Sequence, residues 1–380
     1  MRRITLYRIC FLIIIFSAIT VIFLLSSQER RQLWPIQIMQ YNVKDFSENE
    51  TKEEKKKPRG GIVYLVSADR ISILLESLDH LFVNFNDQFR YPIAIFHYGD
   101  IDDQNLLERI NSALGYTRTE LITVIVVQGM REFPQSFDSA LVKQGKLNVV
   151  FQHIYPNYNF MCAFFFLKLY MQPWILQNNI SYYMRLDSDS FILSKIDYDL
   201  FEFMQRHNLA YAYRVRFSEH PCCSRYLTKF IRMYTRDENM EISSPELQWM
   251  KKYSWSDLEE VIDQSDSSAV PMQQYYANME IVHVESFRDD PAVLRWEQAV
   301  WNDTRYHVNG LFVQRWGDSL LRFYTIHLFP QLAKRIHYLC DINYFHQRHF
   351  PPVCNFTQHY KNSWPIGPTL EWDGLSAMMP

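Results

Sequence analysis

From residue 60 onward, short apolar runs alternate with polar, turn-forming stretches. Gly61 to Val66 (GIVYLV) predicts a short buried strand. Ile71, Leu74, Leu75, Leu78, Leu81, Phe82 and Phe85 then recur at helical spacing and predict an amphipathic helix. Tyr91 to His97 (YPIAIFH) and Leu121 to Val127 (LITVIVV) are short and bounded by polar loops, as buried parallel strands are. Tyr158 to Leu176 predicts one long aromatic helix, and Tyr182 to Leu186 (YYMRL) a strand that stops at Asp187. Strands alternating with helices imply an α/β layer fold with a largely parallel sheet. In such sheets ligands bind beyond the carboxyl ends of the strands, which draws attention to Asp187.

The N-terminal region has a different pattern. Arg2, Arg3 and Arg8 precede an uncharged apolar run, Ile9 to Leu25. As a helix its 17 residues span about 26 Å, close to the hydrocarbon thickness of a bilayer. Ser26-Ser27 is a poor cleavage site, so an uncleaved signal anchor is expected. The flanking arginines favour a cytoplasmic N-terminus and a type II topology, although Arg30 and Arg31 weaken that bias. The polar stretch that follows carries the run Lys52 to Lys57 and then Pro58, and reads as a solvated stem. The expected organisation is a tail over 1–8, an anchor over 9–25, a stem over 26–59 and one lumenal domain over 60–380.

Composition narrows the function classes. A net charge of −3 lacks the basic footprint of a general nucleic-acid binder, so no nucleic-acid partner is expected. With only 10 glycines, and neither a Gly-x-Gly-x-x-Gly nor a P-loop pattern, neither a nicotinamide dehydrogenase nor a P-loop NTPase is expected. Besides Cys10, the cysteines are Cys162, Cys222, Cys223, Cys340 and Cys354, enough for two disulfides and one thiol in an oxidising lumen. No Cys-x2-Cys pair occurs, so no structural zinc site is expected. Sequons begin at Asn49, Asn179, Asn302 and Asn355.

Asp187-Ser188-Asp189 places two carboxylates just past a strand, where hard oxygen ligands suit Mg²⁺ or Mn²⁺. Such an ion neutralises a diphosphate leaving group. Asp100-Ile101-Asp102 and Asp197-Tyr198-Asp199 share the spacing, and only Asp187 directly ends a strand. Turn and helix-cap roles compete with the metal reading for all short carboxylates.

Further along stand Tyr158, Met161, Cys162 and Phe164; Arg185-Leu186-Asp187-Ser188-Asp189; Ala277-Asn278-Met279-Glu280-Ile281; Gln314-Arg315-Trp316-Gly317-Asp318; and Asn343-Tyr344-Phe345-His346. In this order, over Gly61 to Cys354, the chain resembles the fungal Golgi α-1,2-mannosyltransferases of glycosyltransferase family 15. Those motifs correspond to the family's Tyr-x-x-Met-Cys-x-Phe, Arg-Val-Glu-Pro-Asp, Ser-Asn-Phe-Glu-Ile, Glu-Arg-Trp-Gly-Asp and Gly-Tyr-x-His. The chain departs from the pattern in several places. Asp187 replaces Glu, Ser188 replaces Pro, and Ala163 stands where the family usually carries Arg. The family's Leu-Val-Arg-Asn is Leu65-Val66-Ser67-Ala68 here, with Arg70 close by, and the Cys-His-Phe-Trp segment is absent.

The resemblance implies a GT-A-like mixed sheet flanked by helices that binds GDP-mannose with Mn²⁺ and acts, membrane-anchored in the Golgi, on a glycan or glycoprotein acceptor. It implies Asp187 and His346 as metal ligands, with Glu280 as the carboxylate on the reacting face of a retaining transferase. Asp318 would touch the acceptor or hold the site together, or cap a helix beginning near Leu320. Arg185 would orient the metal carboxylate or touch phosphate, or form a buried salt bridge. Tyr158 would contact the nucleotide or acceptor, or belong to the core. Two other functions compete: a catalytically inactive lumenal glycan-binding protein, and a transferase using another nucleotide sugar. A lumenal glycosidase ranks below both.

Overall fold

The computed structural model describes residues 58–127, 131–146, 149, 151–252, 272–347 and 353, with the backbone of 369–370. The expected tail, the anchor and the stem through Lys57 lie outside these residues. Among the described residues no helix is long and apolar enough to cross a membrane.

The first part of the chain alternates as its pattern predicts: β1 (Gly60–Leu65), α1 (Ile71–Leu81), β2 (Ile93–His97), α2 (Asp103–Leu114) and β3 (Ile122–Val126). Then come α3 (Asn157–Ala163), α4 (Pro173–Gln177), β4 (Tyr182–Leu186), β5 (Ser190–Ile192), α5 (Leu200–Arg206), β6 (Tyr211–Tyr213) and β7 (Arg216–Ser218). The remainder includes α6 (Leu227–Asp237), β8 (Gln273–Tyr275), β9 (Met279–His283), α7 (Pro291–Trp301), α8 (Asp318–Leu328), β10 (Ile336–Tyr338), β11 (Tyr344–His346) and β12 (Thr369–Leu370), with shorter helical turns between them.

Seven strands form the main sheet in the order β10-β6-β9-β4-β1-β2-β3. β1 pairs in parallel with both β2 and β4, and β9 runs antiparallel to β4 and β6, so the sheet is mixed. Period-two alternation sends the two side-chain sets of each strand into separate cores. Ile62, Tyr64, Ile93, Ile95, Met184 and Met279 pack on one face with Leu74 and Leu78 of α1. Val63, Ala94, Tyr183, Tyr211 and Val282 pack on the other with aromatic side chains of α3, α6, α7 and α8. The result is helix, sheet and helix in three layers.

The structure corrects three details of the pattern reading. β3 is parallel but only partly buried, and among the described residues it is the edge strand, with β2 on one side and no further strand on the other. The expected helix over 158–176 is interrupted. α3 passes through a π-turn at Phe164–Lys168 and a 3-10 turn at Leu169–Met171 before it ends. Gln172 is extended (φ −65°, ψ 141°) because Pro173 follows and disfavours the helical region for its predecessor. Pro173 then opens α4, where its missing N–H is not needed. Lastly, α1 continues through a π-turn at Phe82–Asn86 rather than as a regular helix to Phe85.

The chain leaves β1 for β2 and β3 on one side, then returns to place β4 on the other. That reversal makes the carboxyl ends of β1 and β4 a topological switch point, where an α/β sheet leaves a crevice.

Candidate active site

β4 ends at Leu186, and Asp187 follows with its backbone N–H held by the carbonyl of Asn278 at 3.1 Å. The turn leads into β5, which pairs antiparallel with β11 so that Ser190 faces His346. This long-range pairing brings the imidazole to the acidic turn: His346 Nε2 lies 3.0 Å from Asp189 Oδ1 and 3.9 Å from Asp187 Oδ2. The other ring nitrogen, Nδ1, shares a hydrogen bond with the Tyr276 hydroxyl at 3.1 Å, which keeps Nε2 turned toward the carboxylates.

Of the two carboxylates, Asp189 is the closer to His346, although the resemblance singles out Asp187. Burial alone would raise the Asp189 pKa. The hydrogen bond and charge of His346, together with Arg70, outweigh it and hold the group below the usual carboxylate range. Arg70, in the 3-10 turn Ala68–Arg70 that follows β1, places its guanidinium 2.6 Å from Asp189 and donates to Ser188 Oγ at 3.4 Å. The cation missing at Ser67 is thus supplied to the same crevice three residues later.

The other two Asp-x-Asp sequences are helix caps. Asp102 accepts from the Asn105 N–H at 2.8 Å at the start of α2, and Asp199 accepts from Phe201 and Glu202 at the start of α5.

Arg185 sits on β4, buried at 3% side-chain exposure, with the Phe165 ring 3.5 Å from its guanidinium carbon. Its Nε donates to Asp187 Oδ1 at 3.0 Å, and Nη1 donates to Asp318. Asp318 is not a cap. The helix begins at Asp318 itself, Gly317 is the N-cap, and no side chain caps it. Its carboxylate is turned inward to the guanidinium.

Glu280 faces Arg185 across the β4–β9 pair and is 1% exposed. It lies inside the helix-covered face rather than open on a crevice wall. Burial pushes its carboxyl above the ordinary value, opposed by Arg322 and Arg185. Arg322 Nε stands 3.7 Å from Glu280, and Nη1 lies 4.0 Å from Glu297 of α7, to which Tyr170 also donates. One buried cation therefore serves two buried carboxylates. Beside Glu280, the Asn278 side-chain amide is buried with neither its oxygen nor its nitrogen hydrogen-bonded. Such an amide is costly unless a ligand or water completes it.

Tyr158, half-buried on α3, lies beneath the guanidinium of Arg315 at 4.2 Å. Arg315 also donates to Cys223 Sγ at 3.1 Å. The structure thus gathers Arg185, Asp187, Asp318 and His346 with Asp189 and Arg70, sets Glu280 below them, and joins Tyr158 to Arg315. Sequence reasoning passed over Asp189 as the nearer partner of His346, and also Arg315, Arg322, Asn278 and Tyr276. The signals were present, since Asp189, Arg315 and Asn278 lie inside the quoted motifs and Tyr276 immediately precedes one.

The family described as glycolipid 2-alpha-mannosyltransferase matches residues 26–363. The probable mannosyltransferase KTR4 of Saccharomyces cerevisiae is 24% identical over 296 residues, covering 76% of this chain and 60% of that protein. The O-glycoside alpha-1,2-mannosyltransferase homolog 5 of Schizosaccharomyces pombe is 22% identical over 315 residues, covering 77% and 72%. Among solved structures, mannosyltransferase Ktr4p of S. cerevisiae in complex with GDP aligns with a TM-score of 0.64 at 20% identity, covering 79% of this chain and 74% of that one. Core-mannan synthase A of Aspergillus fumigatus, in its Mn/GDP form, aligns at 0.63 and 18% identity, covering 84% and 83%. The mixed sheet with flanking helices is the fold of these two structures.

Proposed function

The chain belongs to the glycolipid 2-alpha-mannosyltransferase family, and we propose that it transfers mannose from GDP-mannose to a glycan or glycoprotein in α-1,2 linkage, as a type II protein of the Golgi membrane. The observation that carries the reading is the convergence at the switch point. Asp187, Asp189 and His346 come together from distant segments, beside an Asn278 amide that is buried and unpartnered. The related structures named above contain GDP, and one contains Mn, at a comparable fold.

The donor set fits a Mn²⁺ ion: carboxylate oxygens with one imidazole nitrogen, the latter oriented by Tyr276. Asp187 and His346 would hold the ion, with Asp189 alongside. The ion's contribution, when bound, is Lewis-acid neutralisation of the diphosphate leaving group. Arg70, paired with Asp189 at the same turn, is 40% exposed, so phosphate oxygens can reach its guanidinium. Arg185 orients Asp187 and ties it to Asp318, fixing the crevice floor. We assign Glu280 to the sugar's reacting face; burial raises its carboxyl above the ordinary value, and Arg322 and Arg185 oppose that rise. Tyr158, stacked under Arg315, offers an aromatic face and a hydroxyl to the nucleotide or acceptor.

Calorimetric titration of the purified full chain with GDP tests the proposal. Binding is expected to require Mn²⁺ and to vanish in Asp187→Ala and in His346→Ala. Folded protein that takes up no GDP under either condition removes the mannosyl-donor assignment. Ala163, fully buried where the family usually has Arg, favours a glycan-binding protein without transferase activity as a second reading. Glycan binding without uptake of any nucleotide sugar would select it.

A further inference from the structure

We propose that His220, Cys222 and Cys223 form a second metal site, one that takes a thiophilic divalent cation of the Zn²⁺ class. After β7 the chain makes a 3-10 turn at Pro221–Cys223, closed by the Cys223 N–H to the His220 carbonyl at 2.9 Å. That turn points three donor atoms the same way, all within 4.8 Å of one another. His220 Nδ1 is 2.8 Å from Cys222 Sγ, and Cys222 Sγ is 3.3 Å from Cys223 Sγ. Nδ1 also accepts from the backbone N–H of Cys222 at 3.3 Å, so this nitrogen carries the lone pair that a metal needs.

Both sulfurs are thiols, whereas Cys340 is disulfide-bonded. The Cys-x2-Cys pair that usually signals a zinc site is missing from the chain. His-x-Cys-Cys reaches a comparable donor set from only four residues, and Pro221 limits the freedom lost on ordering them.

The chemistry separates this site from the carboxylate turn. Two thiolates and one imidazole select Zn²⁺, Co²⁺ or Cu⁺, while carboxylate oxygens suit Mn²⁺ and Mg²⁺. A divalent ion with two thiolates and a neutral imidazole is electrically neutral, which the buried side of the site requires because Cys223 is fully buried. Arg315 supplies the outer support, donating from Nη1 to Cys223 Sγ at 3.1 Å and thereby favouring the thiolate. Three protein donors leave a fourth position open, and Cys222 and His220 lie on the accessible side. Because the same guanidinium covers Tyr158, an ion at this turn would also hold Arg315 over that ring.

Co²⁺ titration of the full chain, reduced with a phosphine, tests the site without recourse to activity. One equivalent is expected to give sulfur-to-cobalt charge-transfer absorption and tetrahedral ligand-field bands, both displaced by Zn²⁺. These bands should be lost in Cys222→Ser, a partly exposed position whose folding is checked by circular dichroism, and retained in Asp187→Ala. Zn²⁺ should raise the melting temperature of the parent chain and not of Cys222→Ser. Absence of sulfur bands in the reduced, folded parent overturns the assignment, as do bands of equal intensity in Cys222→Ser. A Cys222–Cys223 disulfide that re-forms after reduction and excludes Co²⁺ also overturns it.

Discussion

Replacing Asp318 with Asn separates two roles for this residue that its position alone leaves equal. Had Asp318 been a helix cap, Asn would serve nearly as well and the cost would stay within a few tenths of a kcal/mol. In the structure the N-cap is Gly317, and Asp318 instead accepts from Arg185, both side chains being almost fully buried. Breaking one partner of a buried ion pair typically costs about 3–5 kcal/mol, because the remaining charge is stranded. Arg185 keeps Asp187 at 3.0 Å and lies beside Glu280, so the stranding is partial and the lower end applies. Loss of a negative charge near the N-terminus of α8 adds about 0.3–1 kcal/mol. Asp318→Asn should therefore destabilise the chain by about 3.5 kcal/mol. Denaturant unfolding reads this as a lower midpoint at unchanged slope. In a double-mutant cycle, Asp318→Asn should cost far less in an Arg185→Met background, and the difference gives the pair's coupling. A loss under about 1 kcal/mol, or an equal cost in both backgrounds, would refute the reasoning.

Burial pushes Glu297 up to about 8, with Arg322 and the Tyr170 hydroxyl opposing it only in part. The folded chain then keeps a proton that the unfolded chain releases above its ordinary carboxyl value. The associated stability is full at acid pH and is lost as pH rises toward 8, at about 1.4 kcal/mol per unit. Glu297→Gln should flatten that slope in unfolding curves taken from pH 5 to 8, and an unchanged slope would place the titration elsewhere. A Cβ at Gly310 would meet the Trp316 ring at 2.2 Å, and that ring is pinned by its Nε1 bond to the Arg225 carbonyl at 2.8 Å. Gly310→Ala is expected to cost about 3 kcal/mol, partly recovered by adding Trp316→Leu, and a neutral result would mean the ring can shift.

The elements were readable where one local pattern decides them. β1, β2 and β4 follow from short continuous apolar runs and α1 from a 3.6-residue apolar period, and the departure at Gln172 is equally local, since Pro173 dictates it. The two helix caps at Asp102 and Asp199 are equally local, because each carboxylate satisfies N–H groups two or three residues ahead. The site was legible as a set of residue types in order, and less so as a geometry.

The sequence by itself determined the strand-and-helix alternation, the chain end of β4 at Asp187 and the family motifs, because each is encoded within a few residues. Only the tertiary structure decided which carboxylate meets His346, since that depends on β5 pairing with β11 across more than 150 residues. The fold likewise turned Asp318 inward to Arg185 and placed Arg70 where Ser67 has no charge. It also put the His220-Cys222-Cys223 turn against Arg315. Distances of a few ångströms between remote side chains are set by how helices and strands pack, and no local spacing in the chain records them.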